Sequence, residues 1–172
     1  MIRAIAFVGT LCLMLFASDQ GVGKAPVWRA ATEAELKSII PPRAPVGDEH
    51  IETEFRTASG VTNGKGQYVA GVVLITAGYS AEGKYSHYLL VQVPVVVGTI
   101  ALKPGDYVFG WRHEADSLRV MFYTAQTGQF LGAVEASRNS TIGKIESFHL
   151  YPPAEKSIIK IGRFGFPYKI VD

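Results

Sequence analysis

The chain has 172 residues, with 17 basic and 15 acidic side chains, one cysteine, 48% apolar residues and 19% charged ones. That balance describes a single well-packed globular domain and excludes a disordered chain, whose apolar content could not offset its conformational entropy. Near-neutral charge without a concentrated Lys/Arg stripe also excludes the electrostatic footprint of a nucleic-acid binder.

Arg3, the apolar run Ala4 to Phe16 and then the small residues Ala17 and Ser18 have the layout of a secretory signal peptide, about Met1 to Ala17. The run is too short for an ordinary membrane span, which needs roughly 20 apolar residues. The expected organisation is a signal peptide over residues 1–18, a leader over 19–30 and one β domain over 31–172, secreted or periplasmic, with no stable membrane span after cleavage. Cys12 lies inside the apolar run, so the mature chain is expected to have neither thiol nor disulfide and to hold together by apolar burial.

Thr32 and Glu35 have capping-box spacing, which starts a helix by satisfying orphan backbone N–H groups. Ala34, Leu36 and Ile39–Ile40 supply apolar positions, and Pro41-Pro42 ends the helix after about two turns. From Ile51 the pattern changes to β-branched and aromatic runs punctuated by Gly, Pro, Asn and Asp. Ile51 to Thr57 alternates as a half-buried strand, and Ser59 to Gly66 is expected to be a loop. Tyr68 to Ala77 and Tyr85 to Val93 form an antiparallel pair through the turn around Tyr79 to Lys84. Pro94 places Val95 to Val97 at an edge or bulge. Tyr107 to His113, Leu118 to Tyr123 and Phe130 to Ala136 are separated by short turns and read as a meander. Ser147 to Tyr151, Ser157 to Gly162 and Phe164 to Ile170 complete an all-β, mainly antiparallel chain of about eight to ten strands with one short N-terminal helix, folded as a β-sandwich or closed barrel.

No complete catalytic, metal or nucleotide motif is present. Gly60 to Gly66 has the wrong glycine spacing for a phosphate loop. Gly78-Tyr79-Ser80 lacks the second glycine of a nucleophile elbow, and Ser157 and Lys160 share a face only on a helix. Gly98, Pro104-Gly105 and His113 resemble the second half of a cupin signature, which would imply a metal in a jelly-roll barrel, but the paired upstream histidines are missing. Leu102-Lys103-Pro104-Gly105-Asp106-Tyr107 resembles the turn-and-strand entry of secreted prealbumin-like β-sandwich modules, which implies a sandwich and no activity. Asn139-Ser140-Thr141 is a glycosylation sequon. Neither a cofactor nor a metal is expected.

Two surfaces are candidate binding sites. Tyr107, Phe109, Trp111 and His113 alternate onto one face of a strand, where Trp111 and His113 could offer a stacking platform to a flat ligand such as a sugar ring. The second comprises Tyr79, Tyr85 and His87 around a turn. The sequence thus favours a non-catalytic extracytoplasmic binding or interaction module of the cell envelope with a protein or carbohydrate ligand. The alternative is an extracytoplasmic hydrolase or metal-dependent enzyme whose site is assembled from His87, His113 and His149 with Glu114 or Asp116. An outer-membrane barrel is a third class, opposed by Pro167 in the last strand and by the absence of a terminal aromatic residue.

Overall fold

The computed structural model describes residues 27–138 and 145–171. The expected signal peptide, Cys12 and the sequon at Asn139 lie outside the described residues. The strands are β1 (Arg29–Ala30), β2 (Arg43–Val46), β3 (Glu49–Thr62), β4 (Tyr68–Leu74), β5 (His87–Val91), β6 (Val95–Val97), β7 (Ile100–Leu102), β8 (Gly105–Glu114), β9 (Ser117–Thr124), β10 (Phe130–Arg138), β11 (Glu146–Leu150), β12 (Ile158–Gly162) and β13 (Phe164–Ile170). Helix α1 covers Glu33–Ile39, and the single-turn α2 covers Gly78–Ala81.

Ten strands follow one antiparallel path, β1-β3-β4-β5-β8-β9-β10-β13-β12-β11, which curls into a nearly closed barrel. The barrel form, one of the two expected, replaces the sandwich that the Leu102–Tyr107 resemblance implied. Its interior is apolar. Phe109 packs on Phe122 at 5.1 Å and on Phe148 at 6.2 Å between ring centroids, and Phe122 meets Phe166 edge-on at 6.0 Å. Each such ring contributes about 1.5–3 kcal/mol by leaving water. Strand β3, which carries the short β1 at one end of the path, and β11 at the other end come together without a backbone ladder, and the Leu150 N–H donates to Ser59 Oγ at 3.0 Å across this seam.

The runs Tyr68–Leu74 and His87–Val91 are apolar at almost every position because both of their faces are covered. Val69, Leu89 and Val91 point into the barrel, while Ala70, Val72 and Tyr88 lie beneath Leu36, Ile40, Ala44 and Val46 of the N-terminal segment. Helix α1 starts with the expected capping box, in which the Thr32 hydroxyl accepts from the Glu35 N–H while the Glu35 carboxylate accepts from the Thr32 N–H. Arg29 adds a bidentate pair to Glu35 and, with the Thr32 N–H, holds that carboxyl down to about 2. Trp28 is buried and Arg29–Ala30 pair with Thr62–Val61, so the end of the expected leader takes part in the fold. By contrast β9 and β10 alternate: Leu118, Val120, Val134 and Ala136 point inward, and Arg119 and Glu135 face solvent.

Ser59 to Thr62 are not a loop as expected but the second half of β3, paired with Gly71 to Tyr68. Gly60 serves close approach instead of chain flexibility, since a Cβ there would lie 2.6 Å from Ala70 Cβ. The two halves of β3 flank a bulge in which Glu54 pairs with Val73 and Ser59 with Gly71. Thr57 pins the bulge, its hydroxyl donating to Glu54 O at 2.7 Å and accepting from the Val73 N–H at 3.0 Å.

Val95 to Val97 also depart from expectation, because β6 is no edge: it pairs with β7 on one side and β13 on the other. Pro94 precedes the ladder, so its missing N–H leaves no gap in it, and its carbonyl accepts from the Val171 N–H at 2.9 Å. Strand β13 pairs with β10 only at Gly165 and Phe164, and its last residues, Tyr168 to Ile170, turn to β6. The β6–β7 hairpin thus occupies the split between β10 and β13, and Val95, Val97, Ile100 and Leu102 fill the interior there. Gly98 makes the tight reversal at φ +57, a conformation costly for residues with a Cβ. One end of the barrel is filled in this way. The other end is open.

Candidate functional site

At the open end the loops around α2, the β8–β9 turn, the start of β11 and the β12–β13 turn surround a cup of about 530 Å³. This volume suits a small molecule. The walls are mainly apolar, with Val73, Trp111, Leu118, Ile145, Ile161 and Phe164. Polar groups enter from Ser80, Ser86, His87, His113, Glu146, Ser147 and Arg163. Beneath the cup the phenylalanine core closes the barrel, so the cup is wide and short.

Three of the five sequence candidates converge here. Trp111 and His113 lie two apart on β8, and the strand period puts both on the inner face. Toward the mouth that face emerges from the core: Phe109 is fully buried, Trp111 half-buried and His113 exposed. The indole meets the His113 ring edge-on at 5.4 Å, and His113 meets Phe164 edge-on at 5.6 Å, so the three rings form one side of the mouth. His87 sits deeper. Its ring stacks on Phe109 at 4.7 Å and 5° and faces Phe148 at 5.5 Å.

The environment of His87 is unusual for a polar side chain. It is 4% exposed, Nδ1 lies 2.8 Å from Ser86 Oγ, and Nε2 has no hydrogen-bond partner among the described residues. Burial drives the imidazole down to about 4, against a smaller upward pull from the Ser147 backbone, which comes near the ring without giving Nε2 a bond of good geometry. The ring is therefore neutral near pH 7, and its orphan nitrogen costs about 1–3 kcal/mol.

Tyr79 and Tyr85 lie elsewhere. Their rings contact each other at 4.9 Å, and Tyr85 continues to Tyr123 at 5.4 Å, packing against the outer cluster beneath α1 and β2. The Tyr79 hydroxyl donates to Glu49 Oε1 at 3.1 Å, which raises its pKa. Of the groups considered for an enzyme, His149 sits apart from His87 and His113, against Glu146 at 3.5 Å and the Tyr151 ring at 4.3 Å. Glu114 pairs with Arg119 at 3.8 Å, and Asp116 lies exposed in the β8–β9 turn. Among the described residues no group of three His, Cys, Asp or Glu side chains could hold a metal ion.

The Ser86–His87 contact is a nucleophile–base pair in form, but its setting works against that chemistry. A base held near 4 accepts a proton poorly at neutral pH. Among the described residues no carboxylate orients the imidazole, and Ser86 Oγ is also within 3.3 Å of the Phe109 carbonyl.

Sequence reasoning missed Phe164, Arg163, Ile145 and Leu118 of the cup. Phe164, Phe166 and Tyr168 alternate onto one face of β13, the same signal that marked Trp111 and His113, and this could have identified Phe164. Arg163 occupies a turn and carries no local pattern. Compared with protein-family models, with curated proteins and with solved structures, the chain gives no match.

Proposed function

We propose that this chain is a secreted or periplasmic binding module whose ligand site is the open cup, and that it acts without catalysis. The observation that carries the reading is the arrangement of the barrel: one end filled by the β6–β7 hairpin, the other a largely apolar cup of about 530 Å³ with a few convergent polar groups. Location outside the cytoplasm rests on the sequence of the first 18 residues. The charge distribution weighs against a lipid-embedded barrel, because Arg112, Arg119 and Glu135 lie side by side on the outer face of β8 to β10. A small ring-bearing ligand suits the cup better than a sugar alone, whose many hydroxyls would lose water against the apolar walls without replacement partners.

Trp111→Ala is the direct test. The side chain is half-buried, so its loss should cost about 1–2 kcal/mol and leave a folded protein. Ligand-observed NMR with a panel of small aromatic and sugar probes should show ring-bearing probes binding to the wild type and released in the variant. A variant that unfolds would assign Trp111 to core packing and sink the reading. Ester turnover by the wild type that disappears in Ser86→Ala would replace it with a hydrolase. Expression in a bacterial host followed by mass spectrometry checks the location: the exported chain should lack roughly its first 17 residues, and an intact chain in the cytoplasm would refute export.

A further inference from the structure

This inference rests on the cup being a ligand site and concerns which ligands it takes. The charges around the cup are not balanced in the same way. Glu146 also lines the cup, with His149 Nδ1 3.5 Å from its carboxylate, and Glu114 pairs with Arg119 at 3.8 Å. Arg163 lines the cup and, among the described residues, has neither an ion pair nor a hydrogen bond. Arg138, opposite Phe164 in the β10–β13 ladder, lies with its guanidinium 5.6 Å from the Phe164 ring centroid and likewise has no acidic partner among the described residues. Among the described residues, the positive charge without an acidic partner at this mouth therefore flanks Phe164.

The walls and depth restrict the remainder of the ligand. Trp111 and Phe164 offer ring faces and edges, and His87 stacked on Phe109 closes the floor, which favours a compact ligand over a long alkyl chain. We propose that the cup takes a compact aromatic carboxylate, its ring packed against Trp111 and Phe164 and its carboxylate paired with the Arg163 guanidinium. An Arg fork matches a carboxylate in a bidentate geometry and holds it more firmly than a neutral group of the same shape. The ring supplies affinity by leaving water, and the carboxylate supplies orientation at the rim, where Arg163 remains solvated before binding.

Isothermal titration of the purified protein with three probes of matched shape tests this: naphthalene-2-carboxylate, naphthalen-2-ylmethanol and naphthalen-2-ylmethylammonium. The carboxylate should bind about tenfold more tightly than the alcohol at low salt, and added salt should erode the difference. Arg163→Gln should remove the preference while leaving alcohol binding unchanged; the exposed turn position makes misfolding an unsuitable explanation for any loss, and circular dichroism verifies it. Equal binding of acid and alcohol, an unchanged preference in Arg163→Gln, or tightest binding by the ammonium would overturn the proposal while the cup remains a ligand site. Failure of all three probes to bind would overturn both.

Discussion

Gly110→Ala should destabilise the protein by about 3 kcal/mol or more, a large effect for the addition of one methyl group. Gly110 lies in β8 opposite Met121, and the segment leaving α2 crosses directly above it. A Cβ at this position would stand 2.3 Å from the Lys84 carbonyl oxygen and 2.5 Å from that of Gly83. Both obstacles are backbone, so no side chain can rotate away. The crossing segment has little freedom of its own: Gly83 has φ +68, and the Glu82 carbonyl accepts from Arg112 Nη2 at 2.8 Å. Urea unfolding should show a lower midpoint with an unchanged slope. Gly64→Ala is the control, since that glycine has φ +70 but open space around it, and its loss should stay near 1 kcal/mol. Equal losses in the two variants would show that the crossing yields and that close approach is not what requires Gly110.

His87→Phe should remove most of the protein's stability change between pH 6.5 and 5. In the folded state the imidazole is depressed to about 4, while in the unfolded chain it titrates near its ordinary value of about 6.5. The unfolded state therefore binds the proton first as pH falls. The wild type keeps its full stability above about pH 6.5 and loses it progressively toward pH 4, by up to about 3 kcal/mol. The carboxylates with depressed values, Glu33, Glu35, Glu54 and Glu82, lose their contributions at lower pH, which leaves the interval above 5 to His87. Phe keeps the stack on Phe109 and eliminates the unpartnered Nε2, so the variant should also gain about 1 kcal/mol at pH 7. Urea midpoints at pH 7 and 5 measure both effects. A variant with the wild-type slope would show that another group governs the acid response.

The sequence conveyed local geometry well and long-range arrangement poorly. Thr32 and Glu35 announced α1 because a capping box acts within one turn. The β8–β9–β10 meander was legible because short turns force neighbouring strands together. Ser59 to Thr62 misled because glycine signals flexibility in isolation, whereas Gly60 is required by Ala70 on the neighbouring strand. Val95 to Val97 misled for a related reason: one of the two strands flanking β6 is β13, some seventy residues later in the chain. The same limit applies to the cup. Trp111 and His113 were visible through their alternation, but Phe164 and Arg163 join them only when the barrel curls.

The seam between β3 and β11 has a kinetic consequence. Ser59 and Leu150, whose bond spans it, are 91 residues apart, so most of the chain must be ordered before that contact can form. The meander can assemble early from neighbouring segments, whereas closure waits for the C-terminal strands, which favours slow folding with the final step at this seam. With one side-chain hydroxyl bond in place of a ladder among the described residues, the seam is also a line along which the wall can part with few broken bonds. Amide protons at the start of β11 should accordingly exchange sooner than those of β8 and β9, which are paired on both flanks.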